Sequence, residues 1–229
     1  TNIPLDNVSL LGDIITPYAT ALFTGVTHSN FTNCYFNHTY YAHLRFTACD
    51  GISVDGCVFT DATATGTAYG VAVISTKNIK ISNSSFKKMR HGVTVGGSQG
   101  LSDNVVVDGN TFELQIDAGV DSHSACLNMT ISNNTIIGDN NSVSGYTGNA
   151  DGITYQGLHC VITGNTLMHT GDIGIYVQPN NYQDGTSATI SGNRIEKPTV
   201  GPGIYLQLMN AKSSGAINHG MFAVTGNNI

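Results

Sequence analysis

The chain has 229 residues, a net charge of −6, 40% hydrophobic residues, only 10% charged residues and 27 glycines. So few Lys and Arg on a negative chain do not wrap a nucleic-acid backbone, and no apolar run approaches the roughly 20 residues of a membrane span. Low charge with abundant glycine argues against salt-bridged surface helices and for many short strands joined by tight turns.

Along the chain one degenerate pattern recurs: apolar, any, apolar, polar, Gly or Asn, a small polar residue or Cys, any, apolar. It closes at Phe36, Phe59, Phe86, Phe112, Ile136, Leu167, Ile195 and Ile229, at spacings of 23 to 34 residues. An elastic spacing of a period-two pattern predicts a solenoid of strands with loops of varying length, because helical and leucine-rich repeats keep stricter periods. The expected fold is all-β: a right-handed, single-stranded parallel β-helix of about eight coils that fills residues 1–229 as one domain. Thr1 in place of an initiator Met, and a repeat that runs up to Ile229, give the expectation that the domain is part of a longer chain.

The fifth position of the pattern is always Gly or Asn: Asn33, Gly56, Asn83, Gly109, Asn133, Gly164, Gly192 and Gly226. These types tolerate positive φ best, so each coil is expected to turn a left-handed corner there. The sixth position reads Cys34, Cys57, Ser84, Asn110, Asn134, Asn165, Asn193 and Asn227, an amide ladder that supports the stack rather than a ligand. The five Cys, with no paired metal-ligand spacing, are read as buried thiols.

A second strand begins with Gly and then alternates, at Gly70, Gly92, Gly119, Gly152, Gly174 and Gly203, with a weaker first copy at His43-Leu44-Arg45-Phe46. Its inward residues are Val- and Ile-rich, as buried parallel strands require. Its outward residues form two columns. One reads Arg45, Ala72, Thr94, Asp121, Thr154, Tyr176, Tyr205, and the other Thr47, Ile74, Gly96, His123, Gln156, Gln178, Gln207. Coils about 4.8 Å apart would turn these into one flat strip. Tyr presents an apolar body with a hydroxyl tip, and Gln both donates and accepts, so the strip suits a sugar polymer. Arg45, Thr94, Thr154, Gln156, Tyr176, Gln178, Tyr205 and Gln207 are the expected contacts. An ordinary solvated sheet face is the other account of such residues. Inserts at 137–150, 179–187 and 208–220 read as loops.

Ionisable groups concentrate on three consecutive coils: Arg90-His91-Gly92, then Asp117 with Asp121-Ser122-His123, then Asp151-Gly152. Asp121 and His123 share a strand face, where a carboxylate raises the basicity of an imidazole and fixes its tautomer. An Arg one coil away neutralises a uronate carboxylate and so acidifies the proton beside it. A hydrolase would instead pair Asp121 with Asp117 or Asp151. Turn capping is a third use of Asp beside Gly. Asp and carbonyl oxygens around 117–151 offer weak support for calcium, and otherwise no metal or cofactor is expected. Lys77 falls at a solvated turn. His28, His38, His159, His169 and His219 share no column and read as loop or core residues.

On the repeat, the chain resembles the pectin-lyase-like superfamily of right-handed parallel β-helices. Arg90-His91-Gly92 is similar to an Arg-His-Gly segment of alginate lyases, chondroitinase B-like enzymes and mannuronan C5-epimerases, where the Arg lies in the active site. Asp121-Ser122-His123 is similar to the epimerases' Asp-Pro-His motif, with Ser122 in place of Pro and the two segments in reversed order. The chain also looks like the shaft of phage tailspikes, which cleave host polysaccharides and trimerise. These likenesses imply an extracellular or virion-tail depolymerase of an acidic glycan, a lyase in preference to an epimerase. Arg90, His91, Asp121 and His123 would be its centre, in a possible homotrimer. The rivals are a glycoside hydrolase and a non-catalytic receptor-binding shaft.

Overall fold

The computed structural model describes residues 4–6, 8–11, 19–62, 67–96, 100–138, 151–178, 186–196, 198, 200–207 and 220–229. Most of the three expected loops, at 139–150, 179–185 and 208–219, lies outside the described residues. At their edges Thr135–Gly138 and Ser187–Ser191 are strands.

The described residues form a parallel β-solenoid without helices, of about six turns. The sequence pattern suggested eight coils, but eight copies bound only seven intervals, and the last of these are described in part. A full coil carries three strands, such as Asp50–Asp55, Val58–Ala62 and Tyr69–Ile74. Each pairs in parallel with its equivalents one coil before and after. Three stacked faces result. Ser85–Gly96 runs from the second face into the third without a break, and Thr111–Ser132 continues through all three.

All eight expected corner residues have positive φ, from 49° at Asn83 to 68° at Gly109. The next position forms the ladder. Asn134 Nδ2 donates to Val107 O at 3.0 Å and to Asn165 Oδ1 at 3.0 Å, while its own Oδ1 accepts from Asn110 N at 2.9 Å and Asn110 Nδ2 at 3.0 Å. Ser84, Cys57 and Cys34 continue it with shorter side chains: the Cys57 thiol points at Phe31 O and Asp55 O. All five Cys are free and buried, and burial pushes the Cys57 and Cys126 thiols up to about 12. They are inert.

Phe36, Phe59, Phe86 and Phe112 stack at 4.8, 4.7 and 4.8 Å, and Ile136, Leu167 and Ile195 extend the core. This column explains the recurrent Gly of the third face. A Cβ added at Gly70 would lie 2.5 Å from Phe86, and one at Gly92 would collide with Phe112. Glycine is there for close approach, not for positive φ.

In the first copy that position is His43, fully buried, tilted against Phe36 and Phe59, with neither ring nitrogen hydrogen-bonded. Burial pushes its imidazole down to about 4, so it is neutral in the folded protein at neutral pH. The unfolded chain takes up this proton first, at the ordinary value near 6.5. The contribution of His43 to stability is therefore fully present above about 6.5, and is lost as pH falls towards 4, by of order 3 kcal/mol. In His43→Leu, urea unfolding should lose this part of its pH dependence between pH 7 and 4.5; an unchanged dependence would assign it elsewhere.

Candidate active site

The third face is in the expected register: Arg45 pairs with Ala72, Ala72 with Thr94, Thr94 with Asp121, Asp121 with Thr154, Thr154 with Tyr176, and Tyr176 with Tyr205. It is not the flat, evenly exposed strip that alternation suggests. Ala72, Thr94 and Asp121 are 1%, 8% and 4% exposed, whereas Tyr205 is 44% exposed. Alternation sets which way a side chain faces, not how far its neighbours lean over it. At the centre the His91 and His123 rings close on Asp121. Thr94 is thus left with little surface for a sugar.

A stacked irregularity builds this centre. The amides of Arg90 and His91 both donate to Ala68 O, at 2.9 and 3.3 Å, and those of Ala68 and Tyr69 both donate to Tyr41 O. Two successive N–H groups on one carbonyl mark a bulge, and the register shifts between Met89 and His91. Bulges re-aim side chains. Here they turn Arg90 and His91 towards the following coil.

Arg90 donates from Nε and Nη2 to Asp117 Oδ2, at 3.0 and 2.9 Å. His91 Nε2 lies 3.5 Å from Asp117 and 3.6 Å from Asp121. His123 Nε2 lies 2.5 Å from Asp121 Oδ2. Five expected residues, Arg90, His91, Asp117, Asp121 and His123, therefore meet. His123, 56% exposed at its side chain, is the outermost, while Asp121 and His91 lie beneath it. Burial, the largest single influence, pushes the Asp121 carboxyl up, but the hydrogen bond from His123 and the electrostatic pull of His91, His123 and Arg90 together leave it lowered. The same bond raises the His123 imidazole against its own burial. Burial lowers His91 against the pull of Asp121 and Asp117, so that ring is neutral.

Asp151 stands one coil further on, in register with Ala118 and two coils from His91. Its oxygens accept from Thr154 Oγ1 and from the Ile173 amide, each at 3.0 Å, and burial pushes it up to about 6. Tyr176 donates to Gln207 Oε1 at 2.5 Å, and its ring lies 5.2 Å from that of Tyr205. Gln156 and Gln178 are in register. Arg45 lies at the other end, over the Tyr41 ring. Lys77 pairs with Asp50 and Asp103 on the first face and takes no part.

Sequence reasoning missed Tyr69. Its ring stacks on His91 at 5.4 Å, it is hydrogen-bonded with Arg90, and burial raises its phenol. The signal was present: Tyr69, His91 and Asp151 each immediately precede the Gly of their coil. Among the other histidines, His159 holds Ser187 at 2.7 Å, beside a groove of about 630 Å³ lined by Asn104, Asn128, Met221 and Phe222. That groove is on the first face and adjoins no comparable cluster of charges among the described residues, so the ionisable centre outweighs it as the candidate site.

Fold and site together define a right-handed parallel β-helix with an ionisable centre on one face. The chain belongs to the NosD family, described as "Periplasmic copper-binding protein (NosD)", which matches residues 15–221. No curated protein matches it significantly by sequence. Among solved structures it is similar to the Streptococcus pneumoniae surface protein and adhesin PfbA, with TM-score 0.64 and 12% identity, over 98% of this chain and 74% of that one. It is also similar to an alginate lyase from Paenibacillus sp. str. FPU-7, with TM-score 0.57 and 13% identity, over 92% of each chain. A third is the periplasmic alginate epimerase AlgG, with TM-score 0.56 and 13% identity, over 89% of this chain and 51% of that one. At these identities the likeness is one of fold.

The family description raises copper, and the centre fits it. One donor atom from each of His91, Asp121 and His123 lies within 4.8 Å of the others, and both His91 nitrogens are buried without a hydrogen-bond partner. Two imidazoles and a carboxylate suit copper or zinc, whereas calcium takes oxygens. The oxygens expected for calcium around 117–151 are engaged instead, Asp117 by Arg90 and Asp151 by Thr154 and the Ile173 amide.

Proposed function

We propose that the chain binds an extended polysaccharide along its third face and acts on a uronate unit by proton transfer at His123, as a lyase in preference to an epimerase. The observation that carries this reading is the Asp121–His123 pair. A buried carboxylate holds Nε2 of an exposed imidazole at 2.5 Å, in the middle of a register that leads to Tyr176 and Tyr205. Asp121 fixes the Nε2–H tautomer, which leaves the Nδ1 lone pair for the substrate. His123 Nδ1 takes the proton from C5 of the uronate. The C–H electrons form the C4–C5 double bond, the C4–O4 bond breaks, and the leaving oxygen takes a proton from the Tyr69 phenol. Arg90 already carries Asp117 as its counterion, so the substrate carboxylate shares that guanidinium rather than meeting a free cation. Neighbours named as an alginate lyase and an alginate epimerase support polysaccharide chemistry on this fold. Family and neighbours support a periplasmic or extracellular location.

The test is a panel of uronate-containing and neutral polysaccharides, with chain length and near-ultraviolet absorbance recorded together. Shortening with absorbance is expected. Shortening without it favours a hydrolase that uses Asp121 with Asp117 or Asp151, and no change on any glycan contradicts cleavage and leaves the epimerase and the non-catalytic binding shaft.

The orphaned His91 nitrogens favour a second reading, in which His91, Asp121 and His123 hold copper. Bound there, copper would supply a Lewis-acidic centre at the surface of the third face.

A further inference from the structure

The third face changes character along the solenoid axis. On the N-terminal side of Asp121 stand Arg90 and, further off, Arg45 over the Tyr41 ring. On the C-terminal side the two outward columns hold Thr154, Tyr176, Tyr205, Gln156, Gln178 and Gln207, with no cation among these described residues. The Asp151 carboxyl accepts from Thr154 Oγ1 and acts on the Tyr176 phenol, and Asp172 is close enough to act on Asp151 in turn. An anionic sugar on this side would meet repulsion without a counterion. A neutral sugar would meet the half-exposed Tyr205 ring beside Tyr176, whose hydroxyl is held by Gln207, together with the amides of Gln156 and Gln178.

A pyranose advances an extended glycan by roughly one coil spacing, about 4.8 Å. With the reacting unit at His123, the second and third units along the chain therefore lie on Tyr176 and Tyr205. Resting on the proposed function, we infer that the substrate is a heteropolysaccharide that places an acidic unit at the His123 centre and neutral or N-acetylated sugars on the Tyr176–Tyr205 platform, not a homopolymer of uronates. A homouronate would set successive carboxylates against Asp151 and Asp172. A mixed repeat sets its apolar sugar faces on the tyrosines, where aromatic contact is favourable and charge is not needed.

The probes are size-matched oligosaccharides: oligomers of a tetrasaccharide repeat with one glucuronate followed by three neutral sugars, which leaves both tyrosines facing neutral units, and oligomannuronate and oligoguluronate. Binding to the intact protein is measured by calorimetry, and turnover by absorbance. The mixed oligomer should bind more tightly than either homouronate. Tyr205→Ala should weaken the mixed oligomer by about fivefold to tenfold and leave homouronate binding unchanged, whereas Gln178→Arg should improve homouronate binding. Preference for a homouronate together with turnover would overturn this inference alone and leave the proposed function standing. Equal weakening of both classes by Tyr205→Ala would likewise overturn it. Absence of binding by every oligomer would overturn both.

Discussion

Replacing His123 with Gln should abolish glycan turnover, by about 10²- to 10⁴-fold, the span of a lost general base, in a protein that still unfolds cooperatively, with only a modest fall in the midpoint of urea unfolding as Asp121 loses its charged partner. The side chain is more than half exposed and touches the fold through Asp121 alone among its close ion-pair partners, so its removal takes away a proton acceptor and little packing. In the wild-type protein the rate should rise with pH as His123 gives up its proton, above the ordinary imidazole value, because the hydrogen bond to Asp121 raises it. Asp121→Asn should shift that limb to lower pH. A purely structural Asp121 would lower the rate at every pH and leave the limb in place. The same His123→Gln protein discriminates the copper reading. If His91, Asp121 and His123 hold copper, the wild type titrated with copper(II) gives a nitrogen-coordinated spin-resonance signal that the variant lacks. No such signal in either protein would remove that reading.

Replacing Asn134 with Leu should destabilise the solenoid by about 3–5 kcal/mol, the sum expected when several buried polar groups lose their partners. Asn134 is 1% exposed and sits in the middle of the ladder. The change strands the Asn110 amide N–H, which donates only to the Asn134 side chain in this ladder, and removes a donor to Val107 O. Leu keeps the branching and is bulkier, so lost hydrogen bonds with some overpacking, rather than a cavity, carry the effect. Asn128→Ala is the control. Its Nδ2 donates to Asp103 Oδ1 at 2.7 Å on the exposed surface, and its loss should stay within about 0.5 kcal/mol. Equal losses at the two positions, by urea unfolding at neutral pH, would show that burial of the ladder does not matter.

The fold was legible because the solenoid repeats its constraints. Gly or Asn at all eight corners, and Asn at the following position in the last five copies with Cys or Ser in the first three, are requirements of backbone and stack that recur along the chain. The remaining corners were not legible. His38, Asp61, Lys88, Leu114 and His169 also have φ near 55°, yet nothing in their types announces it, since neighbouring coils rather than intrinsic preference hold them there. The Gly of the third face was visible as a column, but its cause, the Phe86 and Phe112 rings of the following repeat, needed three dimensions. The ionisable centre was legible by aligning coils on that Gly. Its layering was not: bulges at Met89–His91 and Ser122–Cys126 break the simple count, sinking Asp121 and His91 while lifting His123, and Tyr69 entered only once the coil before His91 was stacked upon it.

The central claim, proton transfer at C5 of a uronate, is tested most directly in heavy water. A uronate-containing polysaccharide is incubated with the protein and the sugars are analysed for unsaturation and for deuterium at C5. Unsaturated ends in the wild type, absent with His123→Gln, are the predicted result, and deuterium at C5 of intact chains would move the assignment to the epimerase with the same residues. Shortened chains with saturated ends and no deuterium would contradict the account and pass the chemistry to the aspartates.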